Sequence, residues 1–161
     1  FCSFSHLALL LRGVVQALFR IPQRQIVDFT PGRPHVVLGE GASRSKKGLP
    51  RSRWIKAFRF QDQLVEWFKP VDCPKWMPAE QYASLSDNLM VRESRYRIDC
   101  TGFRTKEITL VTTLTDADIY SADELARVYH RRWRVETAFA HLKTTMKMDV
   151  LKCETVDGVL K

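Results

Sequence analysis

The chain has 161 residues, 45% of them hydrophobic, which is enough for one domain or somewhat more and too apolar for a disordered segment. Its 26 lysines and arginines against 18 acidic residues give a formal net charge of +8, which favours a polyanionic partner, nucleic acid before an anionic membrane. Cys2, Cys73, Cys100 and Cys153 form no C-x-x-C pair and no zinc-finger spacing with histidine, which argues against a structural zinc site and for free thiols in an intracellular chain.

The opening run, FCSFSHLALLLRGVVQALFRI, is apolar but has neither a basic leader nor a small-residue cleavage site. Arg12, Gly13 and Gln16 interrupt it well short of a membrane span, so no membrane association is expected. Ser3 or Ser5 can cap a helix over Phe4 to Arg12, with Phe4, Leu7, Leu10 and Leu11 as its apolar face and Gly13 as its stop. Val14 to Ile21 then reads as a buried strand ended by Pro22. A helix followed at once by an apolar strand suggests an α/β sheet.

From Gln23 to about Phe103 helical periodicity is absent and six of the seven prolines occur. Short apolar runs at 25–29, 35–38, 64–68 and 90–98 suggest an irregular, mostly β region. Within it, residues 41–60 carry Arg44, Lys46, Lys47, Arg51, Arg53, Lys56 and Arg59 and no acid. Gly48, Pro50 and three serines make the stretch read as a loop or flexible edge suited to phosphate contacts, or else a merely solvated loop. Residues 78–84 can form a short helix with Pro78 in its first turn. A turn at 99–105 containing Gly102 would join 90–98 to 108–114 as a hairpin.

The long helix is Ser121 to Met148, opened by the capping box Ser121-x-x-Glu124, with Tyr120 and Leu125 placed as a hydrophobic staple. Val128, Val135, Phe139, Leu142 and Met146 fall within an arc of roughly 60° and are expected to face the core. Tyr129, Arg132, Glu136 and Lys143 fall within a second arc of roughly 60°, spread over about 21 Å. One carboxylate among cations suits a metal ion held against phosphates; an ordinary Arg132–Glu136 surface pair is the plain alternative. His130, Arg131 and Arg134 either face solvent or make secondary phosphate contacts. Trp54, Trp67 and Trp76 are read as packing residues, with stacking on an unpaired base as the other option. Residues 154–161 begin a further helix.

The spacing Tyr129-x2-Arg132-x3-Glu136-x6-Lys143 resembles the signature of the DDE transposases of bacterial insertion sequences, the insertion-sequence-four type. FCSFSHLALLLRGV resembles the segment after that family's second catalytic Asp, and HLKTTMKMDVLKC the segment after its catalytic Glu. The resemblance implies a partial ribonuclease-H-like α/β core: residues 1–22 belong to it, 23–105 form a β-rich insertion, and 106–161 return to the core with the catalytic-Glu helix 121–148. It further implies Glu136 as catalytic residue and ligand of Mg²⁺ or Mn²⁺, and Tyr129, Arg132 and Lys143 as contacts to transposon-end DNA. Arg44, Lys46, Lys47, Arg51 and Arg53 are the basic-loop candidates for DNA binding.

Cut-and-paste transposition by a two-metal mechanism is therefore the expected function. The expected partners are double-stranded DNA (terminal repeats and target) and a second copy in a full-length homodimer, at the bacterial nucleoid in the cytoplasm. The family places its second Asp in D-R-x-F. Phe1 stands for that Phe, so both aspartates are expected upstream and the chain, read as a C-terminal fragment, is expected not to cleave DNA alone. A non-catalytic DNA-binding remnant of a decayed element is the alternative, and another ribonuclease-H-like nuclease, such as a resolvase, a weaker one.

Overall fold

Helix α1 (Phe4–Arg12) begins at Ser3, whose hydroxyl accepts the His6 amide. In the computed structural model, which describes residues 3–36, 48–97 and 107–145 except for the side chains of Trp133, Arg134, Glu136 and Thr137, this helix ends at Arg12 with Gly13 as its C-cap, as expected, and a closing turn follows it. The amides of Gly13, Val14 and Val15 bond back to the carbonyls of Leu9, Leu11 and Leu10. Val14, not Gly13, adopts the left-handed backbone, at φ 58°, a conformation that β-branched residues rarely take. This closing turn consumes residues that the apolar pattern assigns to a strand. Strand β1 therefore covers only Leu18–Arg20, and Val14 is 87% exposed rather than buried.

The remaining strands are β2 (Ser52–Arg59), β3 (Asp62–Phe68), β4 (Asn88–Arg97) and β5 (Glu107–Thr112). All five form one antiparallel sheet in the order β1-β5-β4-β3-β2. The fold is thus mixed α/β. The sheet joins β1 and β5, at the two ends of the expected core, to β2–β4 from the expected insertion. The expected hairpin of 90–98 with 108–114 is present as β4–β5, with Arg97 opposite Glu107; its turn lies outside the described residues.

Two expectations for the middle of the chain are corrected. Of the stretch read as a loop or flexible edge, residues 52–59 are a regular edge strand, paired with β3 through two irregularities in register. Residues 25–29 are not a strand. Their backbone is held by side chains instead: the Asp28 carbonyl accepts from Arg33 Nε at 2.6 Å and from Gln63 Nε2 at 3.0 Å. The 35–38 run lies half outside the described residues. The short helix is α2 (Ala79–Ala83), with Pro78 at its cap rather than in its first turn.

Alternation along β4 sends neighbouring residues to opposite faces of the sheet. Leu89 and Val91 share one face with Val65, Trp67 and Val111, and these pack with Phe4, Leu7 and Ala8 of α1 and Tyr82 of α2 as the core. Glu93 lies on the same face and is only 1% exposed. Its carboxylate accepts Trp67 Nε1 at 2.8 Å and Gln63 Nε2 at 2.9 Å. Arg33, itself buried, donates to the Ser52 carbonyl and hydroxyl nearby. Desolvation pushes the Glu93 carboxyl above the usual carboxylate range, against the opposing pull of its hydrogen bonds from Trp67 and Gln63 and of the Arg33 and Arg95 charges.

Arg92 points the other way. Its Nε and Nη2 donate to the two Asp62 carboxylate oxygens at 2.7 and 2.6 Å, with Arg92 1% and Asp62 3% exposed. Its Nη1 donates to the backbone carbonyl of Tyr120, and its guanidinium lies 5.1 Å from the Phe58 ring centroid.

The last element is α3 (Ala122–Thr145). It crosses the boundary between two compact units, Phe1–Ala126 and Arg127–Lys161. The expected residues 146–148, and the further helix at 154–161, lie outside the described residues. No described helix is long and apolar enough to cross a membrane.

Two outcomes follow for stability. Asp62→Asn strips the counter-charge from a buried guanidinium and should cost about 3–5 kcal/mol in urea unfolding. Glu93 has its folded pKa raised, so its contribution is fully present below the usual carboxylate range and is lost as pH rises through the folded value. Glu93→Gln should therefore gain stability over the parent as pH is raised from about 4 to about 8; a stability difference, variant minus parent, that stays constant or falls in paired urea melts would contradict this.

Candidate functional site

The start of α3 is built from reciprocal hydrogen bonds. The Ser121 amide donates to Glu124 Oε2 at 3.1 Å, and the Glu124 amide donates to Ser121 Oγ at 3.2 Å. This is the capping box that the sequence announces. Leu125 is buried, as the staple expectation requires of it. Asp123 and Glu124 in the first turn and Lys143 in the last complement the helix dipole. Upstream, Asp116 Oδ1 accepts the amides of Asp118 at 2.9 Å and Ile119 at 3.2 Å, so Asp116 builds the turn into the helix.

All four residues of the Tyr-Arg-Glu-Lys stripe lie within α3, and the helical period sets them on one side. Arg132 Nη2 donates to the Tyr129 hydroxyl at 3.2 Å, and its guanidinium carbon is 5.1 Å from the Tyr129 ring centroid. The two side chains thus form one unit, a cation with a phenol beside it. Arg132 and Lys143 are exposed, Tyr129 half-buried. The Glu136 side chain lies outside the described atoms; its backbone is helical.

The neighbouring apolar stripe differs from expectation. Val128, Val135, Phe139 and Leu142 are exposed rather than packed in a core. Met146 lies outside the described residues.

Of the basic candidates, Arg44, Lys46 and Lys47 lie outside the described residues. Arg51 is exposed just before β2. Arg53 is exposed on β2 but ion-paired with the buried Glu66, which occupies part of its guanidinium. Lys56 and Arg59 are exposed further along the same edge strand, with Lys56 Nζ 4.8 Å from the Phe58 ring centroid. At the tip of the β2–β3 turn Phe60 is 91% exposed, a feature that apolar patterning alone did not flag.

Other candidates resolve into structure. Trp67 is core and donates to Glu93, whereas Trp76 is half-exposed and stacks on His6 at 4.6 Å between centroids. Asp28 accepts the Thr30 amide, and that hydrogen bond holds its carboxyl below the usual range. Cys73 is a free, exposed thiol; the other cysteines lie outside the described residues. Among the described residues no three His, Cys, Asp or Glu side chains gather as a metal site.

Sequence reading missed the buried charged groups Arg33, Asp62, Arg92 and Glu93. Asp62 and Arg92 are thirty positions apart and meet only through the β3–β4 register.

Residues 17–161 match a family model described as a transposase DDE domain. No curated protein and no solved structure matches the chain.

The Arg53–Glu66 pair separates the two described arginines of the basic run. Arg51→Ala should reduce the slope of log affinity for duplex DNA against log salt by about 0.9, the contribution of one phosphate contact. Arg53→Ala should change it by clearly less, because Glu66 already partners that guanidinium. Anisotropy titrations over a salt series read both slopes, and equal losses would contradict the distinction.

Proposed function

The chain belongs to the transposase DDE domain family, and on that premise we propose that it forms the C-terminal part of the catalytic domain of a cut-and-paste transposase of the insertion-sequence-four type. The observation that carries this reading is α3 itself: one capped, uninterrupted helix bearing Tyr129, Arg132, Glu136 and Lys143 along one side, with Tyr129 and Arg132 already joined. In this reading β1, β5 and α3 belong to a partial ribonuclease-H-like core, and residues 23–105 to the β-rich insertion.

The chemistry asks little of the protein beyond placement and charge. In cleavage, a water oxygen bonds to phosphorus as the bond to the 3′ oxygen breaks, leaving a 3′-hydroxyl. In joining, such a hydroxyl attacks a phosphodiester of the target and displaces the oxygen opposite it. Arg132 can grip two phosphate oxygens at once, Lys143 offers a point charge, and Tyr129 donates one hydrogen bond. The three hold the strand in register along the helix while the reacting bond lies beside Glu136.

Glu136 supplies oxygen donors of the kind that Mg²⁺ or Mn²⁺ prefers. One carboxylate does not make a two-ion site. On the resemblance to the family alone, we assign the two remaining ligands to the two aspartates of its D-D-E set, which no position of residues 1–161 matches. Bound there, divalent ions would offset charge on the attacking and leaving oxygens. The fragment alone is accordingly assigned DNA binding without cleavage.

The test joins the chain to its native upstream coding sequence and assays Mg²⁺-dependent cleavage of the element's terminal repeats. Cleavage by the parent and a loss of at least about a thousand-fold in Glu136→Gln are expected, the scale of removing a group that acts in the transition state. Full activity in Glu136→Gln would remove that residue from the site. Upstream sequence without the two aspartates would point to a DNA-binding remnant instead.

A further inference from the structure

We propose that β2 and the turn after it bind an unpaired DNA strand: Arg53, Lys56 and Arg59 follow its phosphates, and Phe60 stacks on one of its bases. The proposal concerns binding rather than cleavage and is independent of the assignment of Glu136.

In an unbroken strand, residues three apart point to opposite faces. The two register irregularities of β2 undo that rule. Arg53 lies opposite Glu66, Lys56 opposite Leu64 and Arg59 opposite Asp62, while Ile55 and Phe58 have no residue opposite them. The three partners are alternate residues of β3, so all three cations stand on the face away from the core. Side-chain contacts agree. Arg53 is ion-paired with Glu66, and the Phe58 ring lies 4.8 Å from Lys56 Nζ and 5.1 Å from the Arg92 guanidinium on that face. Two residues of antiparallel strand span about 7 Å, so the row repeats at close to the separation of successive phosphates on one nucleic-acid strand.

The acids that β3 places on this face do not cancel the row. Asp62 is engaged by Arg92, and Glu66 by Arg53 and Asn88. Lys56 and Arg59 are exposed, and among the described residues neither has an acidic partner. The row ends in the turn Phe60–Gln61. Gln61 takes the left-handed backbone, at φ 55°, and its carbonyl accepts the Arg95 amide at 2.9 Å, which fastens the turn to β4. Phe60 is thereby held 91% exposed beside Arg59. A duplex hides its base faces in the stack. An unpaired strand offers one line of phosphates and open base faces, which a basic row ending in an aromatic ring matches.

The test measures binding of the chain to a short oligodeoxythymidine and to the same strand paired with oligodeoxyadenosine, by anisotropy over a salt series. Phe60→Ala should weaken binding to the single strand at least about five-fold and to the duplex less than about two-fold, and Phe60→Trp should restore it. Lys56→Ala and Arg59→Ala should each lower the single-strand salt slope by about 0.7. Lys75→Ala, which removes an exposed cation off the strip, should leave that slope unchanged. Equal losses on both DNAs in Phe60→Ala, no loss on either, or a Lys75→Ala slope change as large as that of Lys56→Ala would overturn the proposal. Circular dichroism checks that each variant is folded. Should an alanine variant unfold, Phe60→Trp alone decides: its added emission should be quenched by oligodeoxythymidine, and unchanged emission at saturation would overturn the stacking contact.

Discussion

The buried Arg92–Asp62 pair is the constraint on which most of the first unit depends. Two charges removed from water carry a desolvation cost of several kcal/mol each, which is offset only when geometry is good and remaining donors are satisfied. Both conditions hold here: two near-parallel hydrogen bonds join the charges, and the spare donor finds the Tyr120 carbonyl. A slip of one residue between β3 and β4 would turn one member of the pair to the opposite face and leave the other unpaired. The pair therefore specifies register, and through Tyr120 it also specifies where the final helix begins.

The other face of the same strands carries a second polar group, and the two explain one another. Adjacent residues of β4, Arg92 and Glu93, are both about 1% exposed yet serve opposite sides of the sheet. Glu93 draws Trp67 and Gln63 together, and Gln63 in turn holds the Asp28 carbonyl. A long irregular segment is thereby fastened to the sheet without being part of it. Apolar packing of α1 and α2 on that face supplies bulk stabilisation, while these hydrogen bonds decide where the loop lies.

Local signals were legible in the sequence where they act locally. The Ser121–Glu124 box, the Ser3 cap and the β4–β5 hairpin need only residues a few positions apart or strongly alternating runs, and all three occur. What was not legible depends on partners distant in the chain. The strand character of 52–59 comes from pairing with β3, despite a composition rich in cations. The exposed, left-handed Val14 comes from the closing turn of α1, where apolar patterning favoured a strand. The Arg92–Asp62 and Glu93 groups violate the rule that charges lie outside, so periodicity could not announce them. For the candidate site, the stripe on α3 was legible as spacing. The Tyr129–Arg132 contact and the capture of Arg53 by Glu66 required coordinates.

These features give two parts of α3 different tasks. Its first turn is held by the sheet, and its middle carries the groups suited to metal and phosphate. That division is the central claim, and it can be tested at the metal. With Fe²⁺ in place of Mg²⁺, and ascorbate and peroxide added, radicals formed at the ion cut the polypeptide beside its ligands. In the chain joined to its upstream coding sequence, the account predicts a cut in α3 near residue 136 that Mg²⁺ suppresses by competition. Mg²⁺-sensitive cuts elsewhere, with α3 intact, would contradict it.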